Sequence, residues 1–218
     1  MNNKNNGRTI ALISLIVCVL GLAIGFAAYS GTVEIAHYPG LGPDKDSFMV
    51  EFSPIAGKPT SNIPDEIYTI KPKVSSDKVK ANAIIAKNSK ISGFYAEFNS
   101  PGQSVEYKFY AYNSGKYDAF LNGIAFTNVF GYYSPKKCVS FNNDSTVQKA
   151  CEGISISIKV GQEAKVKSSM ANISNHLLPK KEAEEIIVTI SYEKGSTVAH
   201  SPFRVYFGDI YLAYSTVD

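Results

Sequence analysis

The sequence contains no tryptophan, only three histidines and no cluster of basic residues. His37, His176 and His200 are isolated, and neither His-x-His nor His-Glu-x-x-His spacing is available for zinc. The formal net charge of +3 falls to about +1 once Lys4 and Arg8 are set aside, so nothing resembles the basic stripe of a nucleic-acid-binding protein. We therefore expect no metal, no cofactor and no nucleic-acid partner.

Recognisable catalytic motifs are absent as well. The sequence has no Gly-x-Ser-x-Gly elbow and no Gly-rich phosphate loop. Ser75–Lys78 and Ser134–Lys137 both match Ser-x-x-Lys, but the Ser-Asp-Asn and Lys-Thr-Gly partners of penicillin-binding enzymes are missing. We predict no catalytic residues and a protein that is not an enzyme.

One long stretch lacks charge altogether: no Lys, Arg, Asp, Glu or His lies between Arg8 and Glu34. A helix needs about 20 mostly apolar residues to cross a bilayer, and residues 9–30 meet that requirement. Basic residues precede the stretch, so the positive-inside rule predicts that residues 1–8 stay in the cytoplasm. Residues 31–218 are then expected outside the membrane.

This N-terminal segment has two interpretations. Small residues end at Ser30, just before Gly31, as signal peptidase requires, and cleavage there would release the protein to the cell surface. The apolar stretch exceeds the length usual for a signal peptide, which favours a retained membrane anchor. Gly21 and Gly25 have Gly-x-x-x-Gly spacing, which would allow a retained helix to pair with another.

The remaining composition is typical of strands. Fourteen tyrosines and twelve phenylalanines accompany abundant Val, Ile, Ser and Thr. Apolar and polar residues alternate clearly in 154–160 and 185–192, where Ile, Val and Tyr form one face. We predict an all-β, antiparallel β-sandwich, jelly-roll-like or immunoglobulin-like, over residues 31–218.

Turn residues punctuate the strands. Ser100–Gln103 and Asn113–Gly115 bracket an alternating segment, which predicts a hairpin with Tyr117–Phe126 as the returning strand. A change of alternating register near the C-terminus predicts a β-bulge at Gly208. Lys180–Glu184 is the one briefly helical segment expected. Shorter strands are expected at 32–36, 48–52, 67–74, 83–86, 94–98 and 164–170.

Cys138 and Cys151 are the only cysteines outside the N-terminal segment. An even number in an oxidising compartment favours a disulfide, although two reduced thiols are the alternative. Asp44–Asp46 and Asn142–Asp144 could offer oxygen ligands to calcium, but Asp and Asn also close turns by bonding the local backbone.

Several segments together resemble exported β-sandwich proteins of Gram-positive bacteria, uncharacterised surface proteins distantly similar to the TasA and camelysin biofilm-fibre family. The likeness lies in Phe26–Ser30, Pro101–Gly115, Cys151–Ile158 and Phe207–Tyr214. It implies a jelly-roll-like or immunoglobulin-like sandwich at the cell surface, with possible assembly into fibres by donation of a terminal strand. It implies no catalytic residues.

The expected function is that of a non-catalytic cell-surface structural or adhesive protein, such as a fibre or biofilm-matrix subunit. Its partners would be the membrane, other surface proteins or further copies of itself. Tyr110, Tyr112, Tyr132 and Tyr133 could form a contact surface, although ordinary strand packing also accounts for them. A surface hydrolase and an accessory subunit of a membrane complex are the alternatives.

Overall fold

Antiparallel strands make up most of the computed structural model, which describes residues 49–57, 67–86, 90–129, 131–162 and 165–216. Within these ranges one helix, α1, spans Val147–Glu152. The strands are β1 Val50–Ser53, β2 Ile67–Ile70, β3 Lys73–Val74, β4 Lys80–Ala86, β5 Lys90–Phe98, β6 Ser104–Asn113, β7 Ala119–Phe126, β8 Lys136–Ser140, β9 Ile154–Val160, β10 Met170–Leu178, β11 Ala183–Tyr192, β12 Phe203–Phe207 and β13 Ile210–Thr216.

These strands form two sheets. The smaller sheet has the order β1-β6-β11-β9, with β3 also paired to β6. The larger sheet has the order β10-β7-β13-β5-β12-β8, and β2 pairs with β4, which pairs with β5. Every strand pairing among the described residues is antiparallel. The predicted all-β, antiparallel class is confirmed.

One hydrophobic core contains side chains from both sheets. Phe94 of β5 meets Tyr107 of β6 edge to face at 5.0 Å, and Phe98 meets Tyr192 of β11 at 6.0 Å. The hydroxyl of Tyr107 donates a hydrogen bond across the core to the carbonyl of Tyr95, at 2.7 Å. Two sheets that share a core in this way are consistent with a β-sandwich.

The two clearest strand predictions are confirmed. β9 has the predicted bounds, and β11 begins two residues before the predicted start. The two strands pair directly, with Ile156 opposite Ile190 and Ile158 opposite Val188. Alternation identified these strands because each has one face in the core.

The predicted hairpin is wrong, although both of its strands exist. β6 pairs with β1, β3 and β11 in the smaller sheet, whereas β7 pairs with β10 and β13 in the larger sheet. The chain changes sheets after Asn113, which is fully buried. Its side-chain amide donates to the carbonyls of Tyr117 and Leu178, and its side-chain oxygen accepts from the backbone N–H of Gly115.

The change of register near Gly208 has a different cause from the predicted bulge. β12 sets Tyr206 opposite Tyr95, and β13 sets Ile210 opposite Ile91, so the register along β5 is the same on both sides of the break. A Cβ on Gly208 would lie 2.0 Å from the carbonyl oxygen of Thr127. Close approach of another backbone therefore separates β12 from β13.

Other differences lie where alternation is weak. The predicted helical segment 180–184 is not a helix: the chain turns at 180–181, with Lys181 at φ 64, and β11 begins at Ala183. In the predicted strand 164–170, Val166 makes one isolated bridge, to Ile158, and β10 begins at Met170. The predicted strand 67–74 is divided into β2 and β3. The sequence pattern did not predict β8, most of β10 or α1.

A disulfide joins Cys138 of β8 to Cys151 of α1, with the two Cα atoms 6.0 Å apart, as expected from the sequence. The amine of Lys136 donates to the carbonyls of Cys151, at 3.0 Å, and Ile154. Burial lowers the pKa of Lys136. The disulfide and this amine together fasten α1 to the edge of the larger sheet.

Several predictions lie outside the described residues. Among the described residues no helix is long and apolar enough to cross a membrane. The predictions outside these ranges are the cytoplasmic residues 1–8, the span 9–30, Gly21 and Gly25, the cleavage site at Ser30 and Gly31, the strand 32–36, His37 and Asp44–Asp46.

Candidate functional site

The outer face of the larger sheet carries two rows of side chains that are neighbours across β4, β5, β12 and β8. Phe203, Val205 and Phe207 of β12 point into the core, so Arg204 and Tyr206 point outwards. The strand registers define the rows. The arginine row is Lys80, Glu97, Arg204 and Val139, and the tyrosine row is Asn82, Tyr95, Tyr206 and Lys137.

Arg204 holds these two rows together. Its guanidinium pairs with the carboxylate of Glu97, lies 4.3 Å from the centroid of the Tyr95 ring and donates to the Tyr206 hydroxyl at 3.1 Å. The hydrogen bonds to Glu97 and Tyr206 raise the pKa of Arg204, so the side chain stays cationic. Arginine suits this position because its planar cation can stack on a ring and bond a carboxylate at the same time.

Exposed aromatic side chains surround the rows. Lys137 lies 4.1 Å from the ring centroid of Tyr132, and Arg204 lies 5.5 Å from that of Phe141. Tyr132, Phe141 and Tyr206 are 48%, 51% and 37% exposed. A sheet face in water usually carries polar residues, and a concentration of exposed aromatic surface is typical of interaction sites in general.

A groove of about 650 Å³ opens beside the tyrosine row. It lies where the larger sheet divides, because β12 pairs with β8 while β13 pairs with β7. Residues 127–129 of the β7–β8 connection form part of its wall. The side chains and backbone that line it belong to Gly93, Phe94, Tyr95, Thr127, Asn128, Val129, Lys137, Tyr206, Phe207, Gly208 and Asp209.

The four tyrosines expected to form a contact surface differ in their exposure to solvent. Tyr112 is 4% exposed, and Tyr110 is partly buried. Tyr132 and Tyr133 are exposed and precede β8. The sequence patterns did not predict Tyr95, Arg204 and Tyr206 as site residues. The available signal was the segment 203–207, in which the polar-face positions of a strand carry an arginine and a tyrosine.

Asn142–Asp144 serves as a turn. The Asp144 carboxylate accepts from the backbone and hydroxyl of Thr146 and from the backbone and hydroxyl of Ser201. These hydrogen bonds, first that from the Thr146 hydroxyl, lower the pKa of Asp144 to about 2. No cluster of three or more potential metal-binding His, Cys, Asp or Glu residues occurs in the described ranges. The interpretation of Asp144 as a turn residue accounts for these contacts.

At this turn Ser201 and His200 lie close to Asp144. The three residue types are those of a serine hydrolase, which was the alternative function. His200 Nδ1 is 4.0 Å from Asp144 Oδ1, and the His200 side chain is 79% exposed. The Ser201 hydroxyl donates to Asp144 at 3.1 Å. A nucleophilic serine needs its hydroxyl hydrogen-bonded to a base that a third group orients. This hydroxyl instead helps to join two loops.

His176 has a cross-sheet contact. Its Nε2 lies 3.1 Å from Glu184 Oε2, between β10 of the larger sheet and β11 of the smaller sheet. Each of these two side chains is 24% exposed. The pair therefore connects the ends of the two sheets, away from the tyrosine row.

Comparison with known proteins identifies no relative of this chain. The chain matches no family model, no curated protein and no solved structure.

Proposed function

We propose that this chain is a non-catalytic cell-surface protein with a structural or adhesive role, and that the outer face of the larger sheet is its contact surface. The observation that carries the proposal is the aromatic character of that face, where Phe141 and Tyr206 are exposed around the Arg204 cation and Tyr132 is exposed beside the Lys137 amine. Aromatic side chains and arginine are the residues that contribute most to protein binding surfaces.

The N-terminal sequence supports the location. An apolar segment at 9–30 preceded by basic residues is typical of a membrane anchor or a signal peptide. The disulfide also suits an oxidising compartment. The proposal includes residues 31–218 as one extracytoplasmic β-sandwich, jelly-roll-like or immunoglobulin-like, of the kind found in TasA-like surface proteins. The same proposal includes the assembly of this protein into fibres.

Labelling of intact cells tests the location. Tyr133 is fully exposed, so Tyr133→Cys supplies a reactive thiol while Cys138 and Cys151 remain bonded to each other. A membrane-impermeant maleimide should label this variant in intact cells. Asn3→Cys, within the predicted cytoplasmic residues, should react only after the cells are opened if the anchor is retained. Labelling of Tyr133→Cys only in opened cells would contradict the proposal.

A further inference from the structure

Two of the residues that line the groove, Gly93 in β5 and Gly208 between β12 and β13, are glycine. The register that pairs Tyr95 with Tyr206 and Ile91 with Ile210 sets Gly93 opposite Gly208. Neither residue has a side chain to fill the space beside the tyrosine row. Gly93 has φ +65, and a Cβ on Gly208 would collide with the Thr127 carbonyl, so larger residues are disfavoured at both positions.

The backbone at one side of this groove is already hydrogen-bonded. Gly208 donates its N–H to the Pro135 carbonyl at 3.1 Å, and the N–H of Asp209 donates to the Thr127 hydroxyl at 3.0 Å. The N–H of Thr127 donates to the Asp209 carbonyl at 2.8 Å. A peptide that binds by strand addition needs unpaired backbone groups. A ligand in the groove must therefore be recognised chiefly by side chains.

The side chains beside the groove combine flat rings with polar groups. The ring centroids of Tyr95 and Tyr206 are 6.4 Å apart, with the rings tilted at 56°. Asn128, Lys137 and Asp209 add an amide, an amine and a carboxylate to the lining. A pyranose ring has a face of C–H groups that packs on an aromatic ring, and it has hydroxyls at its edge that need such donors and acceptors. The volume lies within the range of small-ligand sites, about 300–1,000 Å³.

The charge of this face favours a negatively charged ligand. Lys90 is paired with Asp209 at 3.3 Å, and Arg204 is paired with Glu97. For Lys137 no ion pair occurs among the described residues, and its amine lies over the Tyr132 ring instead. The formal net charge of the ionisable side chains that line the groove or belong to the two rows is +1, from Lys80, Lys137 and Arg204 against Glu97 and Asp209.

We propose that the groove binds an acidic polysaccharide, with one pyranose ring against Tyr206 and Tyr95 and a sugar carboxylate beside the Lys137 amine. This inference rests on the proposed function, because it names the material to which the surface protein adheres. A charge-assisted hydrogen bond from the lysine to the carboxylate would select uronic acids over neutral sugars of the same length.

Calorimetric titration of the full-length chain in detergent tests the inference, with hexagalacturonate and maltohexaose as the probes. We expect hexagalacturonate to bind at least about tenfold more tightly than maltohexaose, and the preference to shrink in Lys137→Met. Tyr206→Ala should weaken hexagalacturonate binding by about tenfold or more, as for an aromatic residue at the centre of a contact. Tyr117→Ala is the matched control, because Tyr117 is 58% exposed on the β6–β7 connection. Its affinity should equal that of the wild type.

Three results would overturn the inference: no binding of hexagalacturonate, equal affinity for the two sugars, or equal affinity of Tyr206→Ala and the wild type. Self-association that Tyr206→Ala abolishes, without sugar binding, would assign the face to a second copy of the chain. Thermal unfolding of each variant shows whether it is folded. The titration uses purified protein, so its outcome is independent of the maleimide test of cell-surface location.

Discussion

At the scale of single residues, Asn113 determines where the chain leaves one sheet for the other. It is fully buried, and its amide group bonds two carbonyls and one N–H from three different residues. A buried polar backbone group that loses its partner costs about 1–3 kcal/mol. This single side chain therefore stabilises a connection that joins β6 of the smaller sheet to β7 of the larger sheet.

Asn113→Ala should lower the free energy of unfolding by about 3 kcal/mol, because it leaves the carbonyls of Tyr117 and Leu178 without their donor. Asn142→Ala, at an exposed position, is the control and should have little effect. Urea denaturation of the two variants measures the difference. Equal stability of the two variants would show that Asn113 does not stabilise the connection.

Asp144 predicts a pH dependence. Its folded-state pKa is lowered from the ordinary 3.8 to about 2, first by the Thr146 hydroxyl. A group with a lowered folded-state pKa stabilises the fold above its unfolded pKa, and that contribution disappears as the pH falls towards the folded value. The wild type should lose stability between pH 3.8 and about 2, and Asp144→Asn should be less stable at pH 7 with a smaller loss in acid. The exposed Asp77→Asn is the control, and an acid profile of Asp144→Asn that matches the wild type would contradict this assignment.

At the scale of elements, β8 and α1 form a unit at the edge of the larger sheet. The disulfide joins residues 13 apart in sequence, and the Lys136 amine bonds carbonyls at the end of α1 and the start of β9. A cation near the C-terminus of a helix is favourable, because the last carbonyls there lack partners within the helix. The unit therefore depends on one covalent bond and one half-buried cation.

Replacing both cysteines, Cys138→Ala with Cys151→Ala, should lower the free energy of unfolding by about 3 kcal/mol, since the unfolded chain regains the freedom of the closed loop. Reduction of the wild type should produce a similar loss. Cys18→Ala leaves the bond intact and should unfold as the wild type does. Chemical denaturation without reductant measures all three, and an unchanged double variant would contradict the role of the disulfide.

Lys136→Met should cost about 2 kcal/mol, because the carbonyls of Cys151 and Ile154 lose a charged donor. Lys137→Met is the matched control, because Lys137 lies opposite Tyr206 on the outer face. Thermal unfolding compares the two. A larger loss of thermal stability in Lys137→Met than in Lys136→Met would contradict the stabilising role of the Lys136 amine.

The elements also show how far the sequence predicts this fold. β9 and β11 were predictable, because each alternates between a core face and a polar face for its whole length. β10 was missed, because the polar residues 174–176 interrupt its apolar pattern and its ladder with β7 is irregular between Asn172 and His176. The supposed hairpin failed because local turn residues do not reveal which distant strand each segment will pair with.

At the scale of the whole molecule, long-range pairing creates the candidate site. Gly93 and Gly208 are far apart in sequence, and only the register of β5 with β12 and β13 sets them opposite each other. The same pairing brings Arg204 onto Tyr95. The sequence could therefore predict the strands but could not predict the groove. The proposed role requires that the outer face of the larger sheet is exposed on the outside of the cell.

Photo-crosslinking in intact cells tests that central claim most directly. A photoreactive amino acid would replace Tyr206 in the full-length chain, with the exposed Tyr117 replaced in the same way as the control. We predict a covalent adduct at position 206, absent at position 117, that enzymes added outside the cells can digest. No adduct at position 206, equal adducts at both positions, or an adduct that only opened cells expose to the enzymes would contradict the account.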